Sequence, residues 1–195
     1  MTILRKETST MSNPPLHLTA AALLLAAGLA IADDGDTIQT MLKNTKGANV
    51  GVATVTDTPN GILISINFAG MTPGEHAFHI HEVGKCEPPF KSAGDHLNPT
   101  HKAHGFGSSD GYHAGDLPNI VIPESGRAKI EVFAADVRLR TGAVKLFDAD
   151  GSALVVHAGA DDYRSQPAGD AGDRIACGVL EPLQDVSIED LEVAP

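Results

Sequence analysis

Hydrophobic and polar residues alternate along much of this chain with a period of two, the spacing of strands that bury one face. Thr37–Asn44 sets Ile38, Thr40 and Leu42 against Thr37, Gln39 and Met41. Residues 49–57 and 61–70 flank a Thr58-Pro59-Asn60-Gly61 turn, and Ile62, Ile64, Ile66 and Phe68 fall on one face of the second run. Ala128, Ile130, Val132 and Ala134 repeat the pattern opposite Lys129, Glu131 and Phe133. Residues 143–147 and Ser152–His157 are joined by Asp148-Ala149-Asp150-Gly151, which predicts a hairpin. Arg174–Leu180 reads as the last clear strand. Beyond residue 33 no stretch shows a sustained helical period, and neither an internal repeat nor an interdomain linker is visible. Many short alternating strands with such turns predict an all-β sandwich or barrel.

One stretch breaks this pattern. Residues 75–116 read EHAFHIHEVGKCEPPFKSAGDHLNPTHKAHGFGSSDGYHAGD and hold seven of the nine histidines: His76, His79, His81, His96, His101, His104 and His113. Imidazole is the commonest protein ligand for zinc and copper, and composition alone does not explain this density. The opening HAFHIHE predicts a strand in which Phe78 and Ile80 alternate with His79 and His81. Residues two apart on a strand share a face, so those two histidines form a chelating pair. Residues 84–115, rich in Gly, Pro, Ser and Asp, read as a long loop carrying further ligands.

Residues 1–32 read as a secretory signal removed from the mature chain. Arg5 and Lys6 form the positive flank (absent if Met11 is the start), residues 18–31 the apolar run, and Ala30-Ile31-Ala32 the cleavage pattern. That run is shorter than the roughly 20 apolar residues that span a bilayer. An uncleaved anchor or a buried helix is the alternative. The expected product starts at Asp33 and is periplasmic or secreted, with one domain over 33–184. The formal charge is −11, and removing Arg5, Lys6 and Glu7 makes the rest one unit more negative. Such acidity argues against nucleic acid or an anionic membrane surface as partner, so no stable membrane association is expected after cleavage. A homodimer stays open. The two cysteines, Cys86 and Cys177, are expected to form one disulfide in an oxidising compartment, with two buried free thiols as the alternative.

The second half carries two more pieces of chemistry. Leu154-Val155-Val156-His157 ends a strand on an imidazole and is followed by Asp161 and Asp162. A Gly- and Asp-rich loop over residues 163–173 then leads into Arg174-Ile175-Ala176-Cys177-Gly178. Taken alone, His157 reads as a strand-end histidine touching solvent and Arg174 as a surface cation. The expected Cys86–Cys177 disulfide changes that reading, because it ties Arg174 to the histidine-bearing loop.

Residues 37–183 resemble the copper–zinc superoxide dismutases of the bacterial exported type. The resemblance rests on GEHAFHIHE (74–82), SAGDHLNP (92–99), HAGDLP (113–118), LVVH (154–157) and SQPAGDAGDRIACGV (165–179). It implies an eight-stranded antiparallel Greek-key barrel with long metal-binding and electrostatic loops. It further implies one copper per chain on His79, His81, His96 and His157, and one zinc on His96, His104, His113 and Asp116, with His96 bridging. Asp161 corresponds to the aspartate that hydrogen-bonds one copper and one zinc histidine, here His79 and His104. Arg174 corresponds to the arginine at the mouth of the copper channel, and Cys86 and Cys177 to the family disulfide. The implied activity is dismutation of superoxide by a Cu(II)/Cu(I) cycle in which Arg174 and His96 act catalytically. One superoxide gives oxygen at Cu(II), and a second gives hydrogen peroxide at Cu(I).

The residue types fit that assignment independently. Four imidazoles favour copper, which must cycle between two oxidation states, whereas three imidazoles and a carboxylate suit a closed, redox-silent zinc. A histidine shared by two cations loses both ring protons. The resemblance also implies that His76 supports the fold, and that His104 rather than its rival His101 binds zinc, leaving His101 to face solvent. Asp95 stands where relatives carry Gly or Pro, a position expected to have negative φ. Its carboxylate is expected to favour a protonated His96 if it turns toward the metals. Ala77 replaces a common glycine beneath the copper strand. The acidic tail 185–195 reads as solvated and disordered, or as an added edge strand through Val186 and Ile188. The competing function is an exported copper or zinc carrier on the same fold, without turnover.

Overall fold

The computed structural model of the chain describes residues 36–181. The expected signal at 1–32 and tail at 185–195 lie outside the described residues. Three strands follow one another as a meander: β1 (Thr37–Asn44), β2 (Asn49–Thr58) and β3 (Gly61–Ala69). Then come β4 (Gly74–His76), β5 (Phe78–His81), β6 (Ile120–Ile122), β7 (Arg127–Ala135), β8 (Val137–Arg138), β9 (Val144–Lys145), β10 (Ser152–His157) and β11 (Arg174–Leu180). Seven of these form one sheet in the order β5-β10-β11-β1-β2-β3-β7. Its two edges are joined through the β4–β6 pair, because β4 runs on into β5 and β6 turns into β7 at residues 123–126. With β4 and β5 taken as one interrupted strand, the antiparallel barrel has the eight strands expected.

The period-two pattern is the reason the barrel has an inside. Ile62, Ile64, Ile66 and Phe68 on β3 are buried with Ile38, Leu42 and Val55, and Val132 and Ala134 of β7 join them. Their outward neighbours Leu63 and Phe133 face each other across the β3–β7 ladder and stay exposed. One sequence expectation fails here. Residues 143–147 do not form a hairpin with Ser152–His157; β9 pairs in parallel with β8 instead. Leu146 and Phe147 continue that contact by donating their amides to the carbonyls of Arg138 and Leu139. The reason is competition for edges: β10 already pairs with β5 on one side and β11 on the other.

That central position makes β10 a partition. All six of its residues are buried. Leu154 and Val156 pack into the barrel interior with Phe78 and Ile80. Ala153 and Val155 pack outward into a second apolar cluster with Phe90, Ala93 and Cys177. The register pairs Val155 with His79 on β5 and with Cys177 on β11, so these three side chains share the outer face.

Cys86 and Cys177 form the expected disulfide, 91 positions apart in sequence. It anchors the start of the long 82–119 connection to β11 beside this second cluster. Closing a loop of that size restricts the unfolded chain by about 4–5 kcal/mol in the chain-entropy model. Replacing Cys177 with Ser is therefore expected to lower the melting temperature by about 10 °C in a protein of this size. Thermal circular dichroism of the metal-free protein and variant checks this, and coincident curves would remove the clamp argument.

Candidate metal centre

The alternation that fills the barrel with Phe78 and Ile80 sends His79 and His81 to the outer face of β5, both fully buried beneath the loops. His157 is on that face too, at the end of β10, where the ladder register shifts between Val156 and His157 and sets His157 opposite Arg174. The long loop runs along the free edge of β5. Ile80 donates its amide to Gly115 O and Leu97 donates to Ile80 O, both at 2.9 Å, while His81 bridges to His96 and His79 to Asp116. Gly115 must be glycine for this approach, since a Cβ there would stand 2.1 Å from Ile80 O. Loop residues thereby enter in register with the strand.

Two sets of ligand atoms result. In each, the atoms lie within 4.8 Å of one another: His79, His81, His96 and His157 in the first, and His96, His104, His113 and Asp116 in the second. These are the two sets expected for copper and zinc, and His96 belongs to both. His101 is exposed and in neither. His76 is buried with its ring between His157 O (2.8 Å) and Thr72 O (2.9 Å), a support for the strand end as expected.

Each ring has one nitrogen held by the protein and another turned to the shared space. His79 Nε2 contacts Asp161 Oδ2 at 2.9 Å, His81 Nδ1 contacts Gly94 O at 3.0 Å, and His157 Nδ1 contacts Gly172 O at 3.2 Å. Left over are His79 Nδ1 and His96 Nε2, buried without a hydrogen-bond partner, and the Nε2 atoms of His81 and His157, 3.4 Å apart. A buried nitrogen without a partner costs about 1–3 kcal/mol. Two nitrogens without a partner and two facing only each other, gathered in one place, fit a soft, imidazole-preferring cation such as copper. In the second set, the Nδ1 atoms of His96, His104 and His113 converge on Asp116 Oδ1 at 2.8, 3.1 and 3.2 Å. Asp116 Oδ2 is held away from them by the amides of Gly105 and His113. Three imidazoles and one carboxylate oxygen so arranged fit a tetrahedral zinc.

Asp161 spans the two sets. Its Oδ2 holds His79, and its Oδ1 contacts His104 Nε2 at 3.0 Å. The residue that holds Asp161 in turn has no role in the sequence reading. Asn119 accepts the Asp161 amide at 2.8 Å and donates to the Asp161 carbonyl at 2.9 Å. Gln166 does the same for His104, accepting its amide and donating to its carbonyl. No motif spacing flags an amide side chain for such duty, because its partners are more than 40 residues away. At Gly169 (φ +69°) a Cβ would stand 1.8 Å from Asp161 Oδ1, so only glycine lets the backbone pass.

Arg174 is half-buried and reaches back across the site, donating to Phe90 O and Gly94 O, each at 2.7 Å. The Gly94 carbonyl thus serves both Arg174 and His81. Arg174 and His157 line a hollow of about 380 Å³ together with Gln166, Ala171 and Gly172. Asp95 has the expected negative φ, but its side chain is exposed and does not turn to His96. Ala77 is fully buried, and its backbone joins β5 to Gly159 and His157.

Burial dominates the acid–base behaviour. It lowers the His81 imidazole well below its ordinary value, with His96 adding to the effect. Burial also lowers His96 to about 4, against the pull of Asp116, and His157 to about 3 with help from His79. The contact between His96 and Asp116 is accordingly one between a neutral ring and a carboxylate. For Asp116, burial acts upward, but contacts from His113, His96 and the Gly105 amide overcome it and hold the carboxyl far below its usual range. Burial likewise acts upward on Asp161, which His79, His104 and the Tyr163 amide hold at about 2.

These shifts have one sign. A histidine lowered in the fold contributes stability that is complete above its ordinary 6.5 and lost as pH falls through about 4 for His96 and about 3 for His157. Asp161 adds a loss as pH falls toward about 2. The metal-free protein is therefore expected to lose on the order of a few kcal/mol between pH 7 and pH 4. Urea unfolding midpoints across that range check this; a flat profile would contradict the neutral-histidine description.

The comparisons with known proteins agree with this geometry. The family model described as copper/zinc superoxide dismutase matches residues 49–180. Superoxide dismutase [Cu-Zn] 2 of Aquifex aeolicus is 49% identical over 142 residues, covering 71% of this chain and 83% of that protein. Superoxide dismutase [Cu-Zn] of Caulobacter vibrioides is 44% identical over 145 residues, covering 72% and 83%. The crystal structure of a SOD-like protein from Bacillus subtilis superposes with a TM-score of 0.70 at 39% identity, covering 73% of this chain and 97% of that one. With a family match that runs from β2 to β11, and relatives at this identity, the chain belongs to the copper/zinc superoxide dismutase family.

Proposed function

We propose that this protein dismutates superoxide, two anions and two protons giving oxygen and hydrogen peroxide. The observation that carries the reading is the His96 ring. It is the one side chain in both ligand sets, with its Nε2 facing the all-histidine set and its Nδ1 facing Asp116. In this reading His79, His81, His96 and His157 hold copper, and His96, His104, His113 and Asp116 hold zinc. Bound copper supplies a reversible one-electron couple, while bound zinc supplies a fixed charge that does not change oxidation state.

The chain's own residues do the rest. Asp161 fixes the rings of His79 and His104 together, so neither set can rotate without the other. His96 Nε2, buried and without a protein partner, is the atom placed to take up a proton and release it to the reduced substrate. Arg174, half-buried beside His157 and tied by two carbonyls, presents fixed positive charge to an incoming anion. Export to the periplasm or beyond, with removal of residues 1–32 from a domain over 33–184, belongs to the same proposal. It is supported by the Cys86–Cys177 disulfide, which persists in oxidising compartments.

His157→Ala is expected to abolish copper-dependent turnover while one zinc per chain is retained, read by metal analysis alongside a superoxide-decay assay. Full activity in that variant would refute the copper assignment. Binding of both metals without turnover in the native protein would favour the carrier instead. Arg174→Glu should slow the reaction by roughly ten- to a thousandfold, a range for which superoxide dismutases are themselves the known instance. Arg174→Lys should lose less, since it keeps the charge and gives up only the guanidinium fork. Equal rates for the Lys and Glu variants at equal metal content would show that Arg174 does not guide the substrate.

A further inference from the structure

Arg174 stands between two hollows with different electrostatics. The first, already described, reaches His157. The second, of about 410 Å³, opens between the start of the long loop and the turn before β11 and is lined by Glu82, Lys91, Asp95, Asp173 and Arg174 among others. Its ionic lining has three carboxylates against two cations, a net negative mouth around the residue that should attract an anion. Of the three, Asp95 is the one whose charge bears on Arg174, opposing the effect of burial on the guanidinium. It does so without an ion pair: no cation of the described residues lies within 4 Å of its carboxylate, and Arg174 is already tied to Phe90 O and Gly94 O. Asp95 is exposed, and its hydrogen bonds are made by its backbone: the amide donates to Glu82 Oε1 at 3.3 Å and the carbonyl accepts the Glu82 amide at 2.9 Å. Nothing in the packing requires a carboxylate there.

We propose that Asp95 is an electrostatic selectivity residue, which weakens the pull of Arg174 on anions and excludes multiply charged anions more strongly than the singly charged substrate. The proposal rests on the dismutase reading for the identity of that substrate. The physical argument is that the energy of an ion in a fixed potential scales with its charge. A negative mouth therefore imposes twice the barrier on a dianion such as hydrogen phosphate that it imposes on superoxide. The arrangement accepts a slower encounter with superoxide in return for an Arg174 that abundant phosphate does not occupy. The guanidinium fork is a ready bidentate phosphate site, so an Arg174 with no acid nearby would be vulnerable to that competition.

The test uses the copper- and zinc-loaded full-length mature protein, Asp95→Asn, the charge-keeping Asp95→Glu, and Glu124→Gln. Glu124 is exposed in the β6–β7 turn, away from the mouth, and its variant changes net charge equally. The first readout needs no turnover: modification of Arg174 by an arginine-directed dicarbonyl, followed by mass spectrometry, with inorganic phosphate as the protecting anion. Asp95→Asn is expected to lower the phosphate concentration for half-protection by about three- to tenfold at low ionic strength, the effect of one rim charge on an encounter. Asp95→Glu and Glu124→Gln should match the native protein. The second readout is the superoxide rate constant. Asp95→Asn should raise it severalfold at low salt, with the gain vanishing as added salt shortens the Debye length to about 8 Å and below. Phosphate should in turn inhibit Asp95→Asn more strongly than the native protein. Unchanged phosphate protection in Asp95→Asn, or an equal change in Glu124→Gln, overturns the proposal. If the protection shifts as expected while the native protein shows no dismutation, the selectivity inference stands and the functional reading fails.

Discussion

A buried neutral imidazole has two nitrogens to satisfy, and this molecule is organised around how those atoms are divided. A backbone carbonyl or carboxylate claims one nitrogen of His79, His81, His104 and His157, which sets each ring plane. The remaining nitrogens are left facing one another in a site from which water is largely excluded. Burial and mutual repulsion then forbid protonation, so the rings stay available as electron-pair donors. A metal resolves the repulsion that the protein creates.

That division requires a scaffold able to bury histidines on the outside of a barrel. β10 provides it by lying between two apolar clusters, the barrel interior on one face and the disulfide-bearing loop on the other. The second cluster is small, and the Cys86–Cys177 bond holds the loop over it. At Gly94 the structural and electrostatic tasks meet, since one carbonyl orients His81 and also receives Arg174. Moving that loop would therefore disturb the His81 ring and the Arg174 guanidinium together.

Much of this was readable in the sequence, for reasons specific to each segment. The meander β1–β3 has clean alternation over 8 to 10 residues per strand, and each strand lies within one residue of its expected bounds. The pair His79 and His81 followed from the same periodicity, and the remaining ligands from the family resemblance. The hairpin expected across residues 148–151 failed because local turn chemistry cannot say which strand edges are already taken. Asp95 was legible as an oddity but not as a mouth residue, because the direction of an exposed side chain depends on loop conformation. Asn119 and Gln166 were not legible at all as supports of Asp161 and His104.

What depends on neighbours along the chain was legible directly: strand period, turn residues, histidine pairing on β5, and an acidic composition. Resemblance extended this to which residues form each ligand set. Tertiary structure alone decided which nitrogen of each ring faces the shared space, which carbonyls restrain Arg174, and on which side of β10 each cluster forms. Those outcomes depend on desolvation and on contacts between residues up to 84 positions apart. Burial is a property of the assembled molecule, and it is burial that keeps these imidazoles neutral.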